Sequence, residues 1–202
     1  MRFLRVGEDA LLVELAGTAE ALRLYHEARR RAVEVADLVP AARTVLFSGV
    51  PDVRALQDQL ASWTLGDSEE PRGEQRVVEV PTRYDGPDLP AVAEHWGVTV
   101  EEVVRRHTGI DMVVAFCGFA PGFAYCSGLE VPRPVPRLAD PRTRVPAGSV
   151  ALADVFTGVY PAASPGGWRL IGRTDLVLWD ATRDVPATLA PGTVVRFVRV
   201  SS

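Results

Sequence analysis

Lysine is absent from this chain of 202 residues, and all 22 of its basic residues are arginines. That excludes a phosphate-loop lysine, a Schiff-base lysine and a lysine general base. Any phosphate or carboxylate must be met by arginine or by backbone N–H groups. Cysteine is scarce: Cys117 and Cys126, nine residues apart, are the two present. With no export signal they read as free thiols. Neither a CxxC nor an HxxxH clasp accompanies them, so no metal site is expected, even with His107 ten residues before Cys117. No apolar run approaches the roughly 20 residues of a membrane span. The N-terminus, MRFLRVGEDALLVEL, carries acids within its first ten residues and lacks the uninterrupted apolar core of a secretory signal. A cytoplasmic protein with no membrane partner is the expectation.

What is present is ordinary globular composition, 47% hydrophobic and 24% charged, enough for a real core without disulfides. The formal charge is −4 and the pI about 5.4, a poor balance for binding nucleic acid. One stretch tests that exclusion. In DLPAVAEHWGVTVEEVVRRHTG, Ala93, Gly97 and Val103 fall at helix-turn-helix spacing, and the second helix ends in Arg105-Arg106-His107. Glu101 and Glu102 open that would-be recognition helix, where phosphate contacts are usually made. The stretch is therefore read as two short helices, with Gly97 as C-cap and Thr99 as the next N-cap.

Periodicity divides the chain. Phe3–Val6 and Ala10–Leu15 flank a Gly7-Glu8-Asp9 turn and predict a hairpin. Thr18 to about Val35 carries a helical apolar stripe with Thr18 as its N-cap. Val39 and Thr44–Ser48 read as extended, and Asp52–Trp63 as a second helix. This β-β-α-β-β-α order predicts a small α+β domain over residues 1–70, an antiparallel sheet with helices on one face. The polar run Gly66–Gln75 is the expected linker. Beyond it, residues 76–202 predict a mostly β, barrel-like domain. Its strands are Arg76–Val80, Asp111–Cys117, Leu176–Trp179 and Val194–Val200, and its short helices are Asp88–His95 and Thr99–His107.

Between Phe116 and Thr174 lie eight glycines and eight of the 16 prolines. Long helices cannot persist there, but short strands and fixed turns can. Four blocks stand out. GFAPGFAY (118–125) sets aromatic rings on both sides of a Pro121-Gly122 bend. PRTRVPAGSV (141–150) offers Arg142 and Arg144, then a Pro146-Ala147-Gly148-Ser149 turn whose N–H groups suit an anion nest. TGVYP (157–161) and SPGGWRLIGRT (164–174) follow. Ordered loops on a rigid β scaffold are where function concentrates.

In this order the blocks resemble the family of the 5-oxoprolinase B subunit (PxpB), also described as the KipI family or as the first of the allophanate hydrolase subunits. The resemblance covers nearly the whole chain, from GEDALLVEL through Gly86-Pro87-Asp88-Leu89 and His107 to the last block. It implies a cyclophilin-like barrel after the small α+β domain. It also implies a partner, the KipA-like C subunit, itself cyclophilin-like. For oxoprolinase it implies a third component as well, the A subunit. The implied reaction opens the cyclic amide 5-oxo-L-proline to L-glutamate at the expense of ATP, with Mg, and with no tightly bound cofactor. One departure is visible. Members usually carry IGG-x-QTG before the YP step, whereas this chain has Asp154 at a glycine position and Phe156 in place of Gln.

A lactam is unreactive by resonance, and coupling to ATP makes its oxygen a phosphate leaving group. The site then needs cations, a donor or base, and a cleft that excludes water. Arg144 and Arg173 are the anion-contact candidates. His107, which ordinarily titrates near neutrality, is the candidate base or orienting donor. Ser149 and Tyr160 are hydrogen-bonding candidates. Phe119, Phe123 and Trp168 are expected to build a wall or a subunit interface. Gly118, Pro121, Gly122, Tyr125, Pro146, Gly148, Thr157, Gly166 and Gly167 complete the binding set. No complete catalytic set lies in the chain, which suits a site shared with a partner. Two alternatives remain open: a KipI-like inhibitor of a sensor histidine kinase, and a component of an enzyme hydrolysing or carboxylating allophanate or urea-type amides.

Overall fold

The computed structural model describes residues 1–65 and 76–201. The chain divides into two compact units, Met1–Glu74 and Gln75–Ser202. The expected linker, Gly66–Gln75, lies outside the described residues.

In the first unit, strands β1 (Arg2–Val6), β2 (Ala10–Glu14), β3 (Asp37–Pro40) and β4 (Thr44–Ser48) form an antiparallel sheet in the order β1-β2-β4-β3. Alternate residues of the central strands, Leu11, Val13, Val45 and Phe47, are buried. They pack with Leu24 and Ala28 of helix α1 (Thr18–Arg30) and Leu56 and Leu60 of α2 (Val53–Ala61). Each large apolar side chain among them contributes about 1.5–3 kcal/mol by leaving water. Asp52 caps α2 by accepting from the N–H groups of Arg54 and Ala55 at 2.9 and 3.0 Å. The expected N-cap of α1 is corrected: Gly17 holds that position and no side chain caps the helix. The helix also stops at Arg30, short of Val35, because Ala32 turns left-handed at φ 48°.

The second unit is built on strands β5 (Val77–Thr82), β6 (Asp111–Cys117), β7 (Ala124–Ser127), β9 (Ser149–Ala153), β10 (Phe156–Val159), β12 (Arg169–Arg173) and β13 (Val194–Arg199). They form a seven-stranded sheet in the order β12-β9-β10-β7-β6-β13-β5, with β13 and β5 parallel. The sheet curls until its two edges meet. Arg83, just after β5, exchanges two backbone hydrogen bonds of 2.9 Å with Arg173 of β12. Gly172 permits that closure, since a Cβ there would lie 2.4 Å from the Arg83 carbonyl oxygen. The result is a nearly closed barrel. A separate ribbon pairs β8 (Arg142–Val145) with β11 (Ser164–Gly166).

Helices α3 (Leu89–Trp96) and α4 (Val100–Thr108) pack against β12 and β13. Gly97 adopts the left-handed conformation at φ 67°, and the Thr99 hydroxyl accepts from the Glu102 N–H. Both caps are those expected. Arg105 and Arg106 are tied to Glu102 at 2.6 Å, so the basic end of α4 is neutralised by its own helix. Leu176–Trp179 is not a regular strand. Leu178 is buried and accepts from the Thr188 N–H, but pairing stops at a single bridge between Trp179 and Ala187.

The sheet is covered on both sides, which explains why every residue of β9 is buried. Val150 and Leu152 face the main core with Met112, Val114, Ile171 and Phe197. Ala151 and Ala153 face a second, aromatic-rich cluster. These two sides are the inner and outer faces of the barrel sheet.

Candidate functional site

Alternation sorts the chemistry-bearing residues onto the two faces. On β10, Phe156, Gly158 and the following Tyr160 fall outward, while Thr157 and Val159 fall inward. On β7, Tyr125 falls outward between Ala124 and Cys126.

The inner face holds a buried polar chain. His107 is fully buried, with Nδ1 2.7 Å from the Tyr84 hydroxyl and Nε2 3.2 Å from Thr157 Oγ1. Phe197 packs on its ring with centroids 4.4 Å apart. Burial lowers its pKa to about 3, so the imidazole is neutral at physiological pH. This corrects the expectation of a group titrating near neutrality. Both ring nitrogens are occupied by protein, and Thr157, a binding candidate, is one of the partners.

The outer face holds seven aromatic rings in one contact network. Phe116 stacks on Tyr125 at 4.2 Å. Phe156 meets both edge-on, at 5.5 and 5.8 Å. Phe123 touches Phe119, Tyr125, Tyr160 and Trp168 at 5.1–5.3 Å. Each such pair adds about 0.5–1.5 kcal/mol beyond its burial. Gly158 makes the arrangement possible: a Cβ there would stand 2.9 Å from both Phe123 Cζ and Trp168 Cζ3. Gly166, in β11, similarly leaves room for the Tyr160 hydroxyl, 2.3 Å from where its Cβ would be.

A strap crosses beside this face. Residues 131–137 read VPRPVPR, and the alternate prolines fix φ without needing a ladder of hydrogen bonds. The strap is pinned along its length. Trp96 Nε1 donates to the Arg133 carbonyl at 3.1 Å, and a His95 ring nitrogen lies 2.8 Å from that of Pro134. Val135 and Asp154 exchange backbone bonds of 2.8 and 2.7 Å, and the Leu138 N–H reaches the Gly167 carbonyl at 2.7 Å. Arg137 is thereby set with its guanidinium carbon 5.9 Å from the Trp168 ring centroid. Burial pushes the Tyr125 and Tyr160 phenols up, and the Arg137 charge opposes that rise in both.

The remaining expected residues divide as follows. Gly118, Phe119, Pro121 and Gly122 form the bend leading into β7. Phe119 is 63% exposed and held at φ 71°, an uncommon conformation for a bulky residue. The loop rests on Trp179, itself 41% exposed: a Cβ on Gly122 would lie 2.8 Å from Trp179 Cβ. The anion nest at Pro146–Ser149 is not formed. The Gly148 N–H donates to the Tyr160 carbonyl at 2.8 Å and the Ser149 N–H to that of Pro146 at 3.3 Å. The Ser149 hydroxyl also donates to Pro146, at 2.8 Å, so the Gly148 and Ser149 donors are already used. Among the cations, Arg173 pairs with Asp85 at 2.9 Å and Arg142 with Asp88 at 2.8 Å. Asp88 also accepts from the Leu170 N–H at 2.7 Å, tying α3 to β12 and the ribbon. No carboxylate among the described residues pairs with Arg137 or Arg144. Arg144 is exposed and, by alternation with buried Val145, stands away from the aromatic cluster.

Sequence reasoning did not single out Arg137, Phe116 or Tyr84. At the Gly-to-Asp departure the backbone is left-handed, Asp154 adopting φ 55°, a conformation short polar side chains tolerate. The Gln-to-Phe departure places an aromatic ring in the wall. Both cysteines are free, and burial pushes Cys117 up to about 11 and Cys126 up to about 12, so neither is a ready thiolate. Among the described residues no group of three or more His, Cys, Asp or Glu side chains is placed to hold a metal ion, and no helix is long and apolar enough to cross a membrane.

The chain thus joins an α+β unit to a nearly closed barrel whose sheet carries an aromatic outer face. The chain belongs to the carboxyltransferase domain family, subdomain C and D, whose model matches residues 1–189, and within it to the 5-oxoprolinase B subunits expected from its motifs. It is 41% identical to the 5-oxoprolinase B subunit of Escherichia coli O157:H7 over 96% of this chain and 93% of that one. The solved structure of TTHA0988 matches with TM-score 0.78 and 34% identity over 96% of this chain, which spans 40% of that longer one. The Kluyveromyces lactis urea carboxylase matches 98% of this chain and 22% of its own with TM-score 0.72 and 19% identity, a likeness of fold.

Proposed function

We propose that this chain is one component of an ATP-dependent 5-oxoprolinase, inactive alone, that presents the cyclic amide to a site completed by a KipA-like C subunit. The balanced reaction is 5-oxo-L-proline, ATP and two waters giving L-glutamate, ADP and phosphate. The γ-phosphoryl group moves from ATP to the lactam oxygen with ADP leaving, one water adds at that carbon, the C–N bond breaks with the nitrogen leaving as the amine, and a second water cleaves the resulting γ-glutamyl phosphate to release glutamate and phosphate. The observation that carries this reading is the outer aromatic face. Five of its seven rings, Phe119, Phe123, Tyr125, Tyr160 and Trp168, come from the blocks that resemble the family, and no nucleophile–base pair among the described residues stands beside it. Such a face binds and desolvates a small ring, which strengthens the electrostatics of phosphoryl transfer, but it leaves the chemistry to groups from elsewhere. Among the described residues no group of three or more His, Cys, Asp or Glu side chains is placed to hold the magnesium ion that accompanies ATP.

The partner's place is suggested by Phe119, exposed in the bend at residues 118–122, and by Trp179, an exposed ring against which Gly122 of that bend packs. Large exposed aromatics of this kind mark association surfaces. The test is ATP hydrolysis by this chain co-purified with the C subunit and supplied with the A subunit. Stimulation by 5-oxo-L-proline with glutamate release is expected. A stable complex without stimulation overturns the assignment.

A further inference from the structure

Arg137 is a cation set against the aromatic face, and no carboxylate among the described residues neutralises it. Its backbone is held on a strap pinned at Val135 and Leu138. Its guanidinium sits 5.9 Å from the Trp168 centroid, within range of a cation–π contact. A stacked guanidinium keeps its fork of N–H donors available at its edge. The Tyr125 hydroxyl, on the same face, has no hydrogen-bond partner among the described residues and is not a sealed, unsatisfied group, so it too is open to a ligand. Phe116 and Phe156, both half-buried, complete an apolar floor next to it.

We propose that Arg137, assisted by the Tyr125 hydroxyl, binds the carboxylate of a small cyclic amide whose ring lies against the Phe116, Phe156 and Trp168 side of the cluster. The assignment rests on the oxoprolinase reading for the identity of the ring, and on the geometry alone for the carboxylate. A bidentate guanidinium–carboxylate contact fixes orientation as well as affinity. It fixes which face of the lactam is turned to the partner's groups. Arg137 is then a substrate-binding residue and the specificity determinant between an amide acid and the bare amide.

The test compares 5-oxo-L-proline with 2-pyrrolidinone, the same ring without its carboxylate, by calorimetric titration of the full chain. The wild type binds the acid about 10- to 100-fold more tightly, as expected for a charge-assisted pair. Arg137→Gln brings the two ligands level, Arg137→Lys restores part of the difference, and Arg105→Gln, on the exposed side of α4, changes neither. Equal binding of the two ligands by the wild type, or an unaltered preference in Arg137→Gln with an unchanged melting temperature, overturns the proposal. Steady-state turnover in the assembled complex separates the two readings. Carboxylate-dependent binding without any turnover keeps this inference and removes the oxoprolinase assignment. Full turnover with an unchanged KM for Arg137→Gln does the reverse.

Discussion

The two faces of the barrel sheet are made from the same strands yet treat polar groups in opposite ways. On the inner face, His107, Tyr84 and Thr157 are joined by hydrogen bonds, with His107 and Thr157 fully buried and Tyr84 half-buried. On the outer face, Arg137 and the Tyr125 hydroxyl stand beside a network of rings with no described side chain pairing with either charge or hydroxyl. A buried polar group completed by its neighbours specifies a fold. A polar group held rigid and left incomplete is available to a ligand. The difference teaches that the titratable residue type is a weaker guide to function than whether its hydrogen bonds are already used.

The largest effects are expected where the outer network is removed. Trp168→Ala deletes a buried ring in contact with Phe123, Tyr125 and Arg137. It should lower stability by about 3–5 kcal/mol in a urea melt. A cost under about 1 kcal/mol would show that the cluster is loosely assembled and break the contrast between the faces. Next is the inner face. His107 has its pKa depressed from 6.5 to about 3. The unfolded chain therefore binds a proton that the folded chain refuses between those values. Stability contributed by keeping the imidazole neutral is complete above about pH 6.5 and is lost as pH falls toward 3, at up to about 1.4 kcal/mol per pH unit. His107→Gln should flatten that part of the stability–pH curve, and turnover near neutral pH should show no ionisation belonging to His107. An ionisation of His107 near pH 6.5 by NMR would contradict the assignment.

Smaller effects sharpen the comparison. Gly158→Ala forces a methyl between Phe123 and Trp168 and should cost about 1–3 kcal/mol, read as a lower melting temperature. Arg142→Gln removes a partly buried, hydrogen-bonded pair with Asp88 and should cost about 1.5–3 kcal/mol. Arg173→Gln breaks a pair that is 60% and 43% exposed on its two sides, and should change stability by less than about 1 kcal/mol, falling further with salt. If Arg142→Gln were as mild as Arg173→Gln, the Asp88 pair would not be what ties α3 to the β8–β11 ribbon.

Much of this fold is written locally. The β6 bounds, the α3–α4 caps at Gly97 and Thr99, and the division into an α+β unit and a barrel follow from apolar runs and turn residues close in the chain. The site is legible in the sequence only in part. The blocks mark the aromatic wall, but sequence spacing cannot say which face of a strand looks outward. His107 misleads by its residue type, although Val103 and Val104, four and three residues earlier, place it on the buried stripe of α4. Arg137 escapes notice because nothing near it in the chain announces a role. Its position depends on Trp96, Asp154 and Gly167, which are distant in sequence. The nest at Pro146–Ser149 looks free because the carbonyl that fills it belongs to Tyr160, beyond two intervening strands.

The central claim is that the outer aromatic face, not the inner polar chain, receives the substrate. Hydrogen–deuterium exchange on the assembled complex, with and without 5-oxo-L-proline, tests it most directly. The account predicts ligand-dependent protection in residues 116–125, in the strap at 135–138 and around Trp168, with α4 and its His107 unchanged. Protection centred on α4 and β13, with the strap and the rings unaffected, would contradict it.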